Sequence, residues 1–414
     1  MNNILSDEEM STFLKLFTLL YADDTIILAE SENDLQDALN ALEEYCSIWA
    51  LSVNLDKSKI IIFSRGCIRK YKNFTFAGEK IEVVREYVYL GVTMTYNNKF
   101  TSAIERQLTL GRKAYFSLLS KIQKFKLPLD IQYKLFDQLV VPIITYGCEV
   151  WGHVNLDKIE MFHKKFIKNS LKVSKFTANS VVYGESGRQK LINVINIRML
   201  NYWLKVNQGN QNKLSSILFK FMKKLHDSNI LTSQWCKKIH GVLNNLGLSY
   251  IWGIDGLDIN PNQFRKIIKQ RMSDISIQDW LANINENPLC TIYILFKESF
   301  GFENYLNIED KYRIPLTKYR CGSHSLPISD RRYNAIDERN ICPLCNLDTG
   351  DEFHYILVCP AFENKRKLYI PSYFFNRPNV IKFRELFALK SKIKQRKLSE
   401  FVRIILYVFR IDSP

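Results

Sequence analysis

Two β-prone apolar runs meet at a short polar turn in Leu16-Phe17-Thr18-Leu19-Leu20-Tyr21-Ala22-Asp23-Asp24-Thr25-Ile26-Ile27-Leu28-Ala29. The pattern predicts a β-hairpin, with strands over 16–21 and 25–29 and the turn at Ala22-Asp23-Asp24. Two adjacent carboxylates on a rigid turn suit phosphoryl transfer by paired Mg²⁺ ions. Such ions prefer hard oxygen ligands and sit about 3.5–4 Å apart. Aspartate also favours turns for its own backbone hydrogen bonding. The tetrapeptide alone therefore fits turn chemistry as well as metal chemistry.

A helix and then a sheet are predicted beyond the hairpin. Ser31 and Asp34 resemble a capping box, and Leu35, Ala38, Leu39, Leu42, Tyr45, Cys46 and Trp49 follow at helical spacing. A buried strand is predicted over 59–63, with two further strands near 74–84 and 87–95. From Ser102 the period is helical for good. Ser102 and Glu105 precede a stripe of Ile104, Leu108, Gly111, Tyr115, Leu118 and Ile122. Pro128 and Asp130 open a second helix that Pro142 kinks or ends. A third is predicted over 156–171, with Ile159, Phe162, Phe166 and Ile167 inward. Residues 188–310 are helix-rich and carry no readable motif.

The 414 residues are 46% hydrophobic and 24% charged, the mix of a folded chain rather than a disordered one. No apolar run reaches the ~18 residues of a membrane helix, and the start is acidic where a secretory signal is basic. An intracellular protein of nucleus or cytoplasm, without membrane association, is expected. Net charge is +16, which suggests a polyanionic partner. Its distribution is uneven. Residues 1–56 hold twelve acidic side chains and one basic one, Lys15, whereas residues 57–414 hold 57 basic and 30 acidic. A small acidic block joined to a basic body suits a metal centre attached to a nucleic-acid clamp. Scatter of charge by descent is the plainer alternative.

Of nine cysteines, Cys46, Cys67, Cys148, Cys236 and Cys290 stand singly in mostly apolar surroundings, as small buried hydrophobes in a reducing compartment do. A later set has metal-ligand spacing: Cys342-x2-Cys345-x8-His354-x4-Cys359. Zinc takes four tetrahedral ligands of this kind, and Pro343 and the polar stretch 346–350 supply the turn. Four unrelated residues of a compact domain are the alternative. Cys321 and His324 lack partners for a second site, so packing is expected there.

Four blocks in order carry a family resemblance: Tyr21-Ala22-Asp23-Asp24; Leu51-Ser52-Val53-Asn54-Leu55-Asp56-Lys57-Ser58-Lys59; Tyr87-Val88-Tyr89-Leu90-Gly91-Val92; and the late cysteines. They resemble the second half of the reverse transcriptases of non-LTR (LINE-type) retrotransposons. The likeness continues through 146–152, 182–188 and 320–327, and is dilute between 210 and 310. It implies that Tyr21, Asp23 and Asp24 form the catalytic hairpin, with both aspartates binding Mg²⁺ (or Mn²⁺). It also implies that Tyr89, Leu90 and Gly91 grip the primer end. The x8 loop of the cysteine motif matches the C-terminal knuckle of these enzymes, implying Zn²⁺ on Cys342, Cys345, His354 and Cys359. Lys57 maps onto a lysine before Ser or Thr. There an ammonium relieves the departing pyrophosphate; the alternative is a solvated lysine in a run of six basic residues and no acidic one over 57–72, a run that equally suits a phosphate-contact strip.

The resemblance implies an α+β class: a partial palm over 1–97, a helical thumb over 98–175, a helical connector over 176–315, a zinc-knuckle region over 316–362 and a basic tail over 363–414. Its partners are an RNA template, an RNA–DNA hybrid or single-stranded DNA. The family also uses a further catalytic aspartate well upstream of the hairpin. Only twenty residues precede Tyr21, and their acidic ones, Asp7, Glu8 and Glu9, are in a polar start. RNA-directed DNA polymerisation is therefore expected to fail in these residues alone, like a truncated copy or a fragmentary gene model. The alternative is a non-catalytic nucleic-acid-binding protein built on thumb and knuckle.

Overall fold

The computed structural model describes residues 18–64, 66, 70–256, 258–328 and 341–411. Leu16 and Phe17 of the first predicted strand, Asp7, Glu8 and Glu9, and Cys67 with Arg65 and Arg69 of the basic strip lie outside them. The described residues form two compact units, those within 1–107 with 205–236 and those within 108–204 with 237–414.

The first unit opens on β1 (Thr18–Tyr21) and β2 (Asp24–Ile27), antiparallel, with Tyr21 opposite Asp24. The loop is thus two residues, Ala22-Asp23, and Ala22 takes a left-handed φ of 55°. Helix α1 (Glu32–Ile48) follows, and the Ser31 hydroxyl caps it by accepting from the Asp34 N–H at 3.2 Å. Its inward line is Leu35, Leu39, Leu42 and Cys46, packed with Ile60, Phe74, Phe76 and Ile81. Tyr45 and Trp49, expected on that face, are 53% and 65% exposed. Tyr45 is one residue, about 100°, round from Cys46, and Trp49 is already the C-cap.

The sheet has the order β3-β5-β4, from β3 (Lys59–Ile60), β4 (Phe74–Phe76) and β5 (Glu79–Val83), and β3 runs parallel to β5. The predicted single strand over 74–84 is a hairpin, and so is that over 87–95, as β6 (Glu86–Tyr89) and β7 (Val92–Thr95). In each case two residues reverse the chain at positive φ: Ala77 and Gly78 at 47° and 77°, Leu90 and Gly91 at 45° and 79°. Two consecutive left-handed residues make the tight turn whose twist matches the flanking strands. Helix α1 seals the edge of β4. Gln36 both donates to the Thr75 carbonyl and accepts its N–H, while Glu43 accepts the Ala77 N–H.

Helix α2 (Thr101–Phe125) buries Ile104, Leu108, Tyr115, Leu118 and Ile122. Helices α3 (Leu129–Leu139) and α4 (Asp157–Leu171) complete an aromatic core in the second unit. Phe136 lies flat on Phe166 at 3.7 Å, and Tyr115 meets Phe162 and Phe166 edge-on. Gly111 is required here, since a Cβ would stand 2.0 Å from Ile144 Cγ2. Beyond come α5 (Asn179–Ser186), α6 (Leu191–Gln208), α7 (Leu214–Asp227) and α8 (Gln234–Asn245). Then follow α9 (Pro261–Glu286), α10 (Asp310–Arg320), α11 (Glu363–Tyr369), α12 (Val380–Phe387) and α13 (Lys392–Ile411). The basic C-terminal stretch is folded: α13 buries Leu398, Phe401, Val402, Ile405 and Phe409 and packs along α10 and α11.

Candidate active site and metal centre

Asp23 and Asp24 stand at the tip of the β1–β2 hairpin, both exposed, beside Tyr21 at 63% exposure. Alternation along β2 turns Ile27 into the core cluster and leaves the tip clear of it. Neither carboxylate has a hydrogen bond or ion pair among the described residues. Both therefore keep their oxygen lone pairs for a hard cation.

Lys57 ends a turn held by Asn54, whose side-chain oxygen accepts the Lys57 N–H at 3.1 Å and whose carbonyl accepts the Ser58 hydroxyl at 2.9 Å. The Lys57 side chain is exposed. Its carbonyl accepts the Tyr87 hydroxyl at 2.8 Å. That bond ties the Lys57 turn to the hairpin bearing Tyr89, Leu90 and Gly91. The Gly91 carbonyl in turn accepts Gln107 Nε2 at 2.9 Å and Arg106 Nη1 at 3.3 Å. Gln107 is 2% exposed, so the hairpin tip hangs from a buried amide at the start of α2. Asp23 and Asp24 are carried by a separate two-stranded hairpin, while Lys57 and Tyr89-Leu90-Gly91 are joined through Tyr87.

Cys342, Cys345, His354 and Cys359 converge, their ligand atoms all within 4.8 Å of one another. Cys342 Sγ lies 3.8 Å from Cys359 Sγ, and Cys345 Sγ lies 3.3 Å from His354 Nε2. With Zn–S near 2.3 Å, tetrahedral geometry separates two sulfurs by about 3.8 Å. The donor set and its spacing fit zinc. Local backbone explains the convergence. Ile341 bridges Thr349, Cys342 N–H donates to the Asp348 carbonyl at 2.8 Å, and Asn346 turns at φ 55°. Asp351 accepts the His354 N–H, and a π-helical turn over His354–Val358 brings the Cys359 N–H to the His354 carbonyl at 2.7 Å. Burial lifts the Cys359 thiol to about 12. For Cys345, burial acts upward, yet the Leu347 N–H and the neighbouring thiols bring its pKa below the ordinary cysteine value.

Cys321 packs in an apolar cluster with Val181, Trp280, Cys290 and Tyr293, as expected. His324 pairs instead with buried Glu352, at 3.1 Å. The sequence blocks at 182–188 and 320–327 meet: Glu185 accepts Arg320 Nε at 2.6 Å, with both side chains buried. Gln107 and Arg366, which bonds two carbonyls beside the Cys/His cluster, were not singled out by sequence. Each acts through a tertiary contact that leaves no periodic trace.

Residues 1–94 match the reverse transcriptase (RNA-dependent DNA polymerase) family. The RNA-directed DNA polymerase from mobile element jockey of Drosophila funebris is 27% identical over 162 residues, 36% of this chain and 17% of that protein. This chain is related to the reverse transcriptases of non-LTR retrotransposons. A transposon-derived protein of Caenorhabditis elegans is 28% identical over 137 residues, 33% of this chain and 49% of its own length. A 115 kDa protein in the type-1 retrotransposable element R1DM of Drosophila melanogaster is 27% identical over 140 residues, 32% of this chain and 13% of that protein. The chain thus spans less than half the length of each of these relatives. No solved structure matches it. Reverse transcriptases work with divalent metal and nucleic acid, and the exposed carboxylate pair and the basic surplus suit that chemistry. Among the described residues no helix is long and apolar enough to cross a membrane.

Proposed function

We propose that this chain supplies the catalytic hairpin, primer grip, thumb and zinc knuckle of an RNA-directed DNA polymerase of the non-LTR retrotransposon type. The observation that carries the reading is the two-residue hairpin at Tyr21-Ala22-Asp23-Asp24, with both carboxylates exposed and unpaired among the described residues. Asp23 is the direct Mg²⁺ (or Mn²⁺) ligand and Asp24 the outer one; Tyr21 and the Tyr89-Leu90-Gly91 turn hold substrate and primer end. Lys57 acts on the leaving pyrophosphate as a flexible ammonium. Bound Mg²⁺ would neutralise developing phosphoryl charge and favour the attacking oxygen. Zn²⁺ on Cys342, Cys345, His354 and Cys359 is structural, since all four ligand positions are filled by protein. The partial palm covers 1–97, the thumb 98–175, the connector 176–315, the knuckle region 316–362 and the basic C-terminal segment 363–414.

Two aspartates are too few ligands for a two-metal centre. Residues 1–414 by themselves are expected to bind primer–template without extending it, which is the behaviour of the second reading, a non-catalytic binder. Joining them to a reverse-transcriptase palm segment that bears the further aspartate separates the two. Mg²⁺-dependent extension on an RNA template should then appear and be abolished by Asp23→Asn. In that protein Lys57→Ala should lower kcat and leave primer affinity unchanged. Extension that survives Asp23→Asn would overturn the assignment.

A further inference from the structure

Six charged side chains are buried among the described residues: Glu185, Lys297, Arg313, Arg320, Glu352 and Arg366. Four have an ionic partner, and a fifth, Glu352, has a histidine. Glu185 meets Arg320, Lys297 meets Glu303, Arg313 meets Asp310 and Glu352 meets His324. Arg366 has none among the described residues. At 4% exposure it gives Nε to the Ile356 carbonyl and Nη2 to the Cys359 carbonyl, each at 2.7 Å. The nearby exposed Glu363 acts on Arg366 only through space and is itself bound to Lys367 at 2.6 Å. A buried guanidinium without a counter-charge is strongly disfavoured.

Three thiolates and one neutral imidazole around Zn²⁺ carry a net charge of −1. Resting on the zinc reading above, we infer that Arg366 is the counter-ion of the metal centre and the residue that positions its Cys359 arm. Its two hydrogen bonds fix the π-helical turn between His354 and Cys359, so a charge and an orientation come from one side chain. Apart from the metal centre, Arg366 has two carbonyl acceptors and no ion pair among the described residues. Arg366 therefore couples metal binding to the seating of α11, the helix that carries it.

The test is Zn²⁺ affinity of the full chain, by chelator competition, for wild type, Arg366→Lys and Arg366→Gln. Lysine keeps the charge and glutamine keeps a donor. Outer-shell partners of a metal site are commonly worth 10–100-fold in affinity. Arg366→Gln is expected to weaken zinc by about that factor, and Arg366→Lys by much less. Adding Cys345→His makes the centre neutral and should shrink the cost of Arg366→Gln, and should restore a foldable chain if Arg366→Gln alone does not fold. Equal affinity for Arg366→Gln and wild type, equal losses for Gln and Lys, or a Gln cost unchanged beside Cys345→His would each overturn the inference. A wild-type chain that holds no zinc would instead sink the zinc reading on which it rests.

Discussion

Glu185 and Arg320, 135 residues apart in sequence, form a fully buried ion pair that joins two of the motif blocks of this chain. The Tyr305 hydroxyl donates to Glu185, and the Arg320 guanidinium lies over the rings of Phe296 and Tyr305 at 5.4 and 5.2 Å. Glu303 and Lys297 extend the network. Every member is satisfied within protein, so these blocks read as structural cement between α5 and α10.

Removing one partner leaves the other buried and unpaired, which costs about 3–5 kcal/mol. Arg320→Met and Glu185→Gln should each lower stability by that order in urea denaturation. The double variant should cost less than the two losses added, and strict additivity would mean that the pair is not coupled.

His163 makes a pH-dependent term. Its Nε2 accepts from Arg188 Nε at 3.1 Å and its Nδ1 faces Glu160 Oε1 at 3.1 Å. Arg188 is itself held by Asp137. Burial, aided by the Arg188 charge and opposed by Glu160, holds the His163 pKa below its ordinary value. Above about pH 6.5 neither folded nor unfolded His163 binds a proton, so it contributes no slope. Below that, the unfolded chain takes up a proton that the folded one refuses, and stability falls. His153 and His354 are shifted the same way. The His163 share is therefore the difference between wild type and His163→Gln in urea unfolding at pH 7.5 and 5.5. Parallel pH profiles for the two proteins would contradict the assignment.

Zinc should be present at one ion per chain under native mass spectrometry, and Cys345→Ser should weaken it. Chelation should raise hydrogen exchange over 341–369 first, because that segment draws its folding free energy from the metal, and should leave the aromatic core of α2, α3 and α4 protected. Exchange rising equally in both regions would show that the ion holds more than its own segment.

Nucleic-acid binding should show little sequence preference and weaken steeply with salt, at a slope of about −0.7 to −0.9 per phosphate contact. Exposed Phe116 and Phe125 stand among Arg112, Lys113, Lys121, Lys124 and Lys126 on α2 and just beyond it. Replacing Lys113, Lys121 and Lys124 by Gln should reduce the slope by about two to three. An affinity that stays flat between low and high salt would rule out the electrostatic clamp.

What was legible in the sequence was local. The hairpin at Tyr21-Asp24, the Ser31 cap, the stripe of Ile159, Phe162, Phe166 and Ile167, and the convergent Cys342, Cys345, His354 and Cys359 each follow from a period or a spacing. The misread strands over 74–84 and 87–95 failed for a backbone reason: Ala77 and Leu90 are not the residues that announce left-handed turns. Tyr45 and Trp49 show that an apolar residue at helical spacing need not face the core. Gln107, Arg366 and the Glu185–Arg320 pair were invisible because their partners are far along the chain or are carbonyl oxygens, which any sequence provides.

The Leu90-Gly91 turn has a consequence for how its leucine is retained. A side chain with a Cβ at φ 45° carries a standing strain of about 1–2 kcal/mol, and asparagine or glycine would relieve it. Leu90 is 39% exposed, and burial of the rest of its side chain returns roughly 1–2 kcal/mol, the same order as the strain. Strain and burial therefore nearly cancel, and Leu90→Asn is expected to melt close to the natural chain. A melting temperature unchanged by Leu90→Asn would show that the strained turn and the packing of its leucine offset one another.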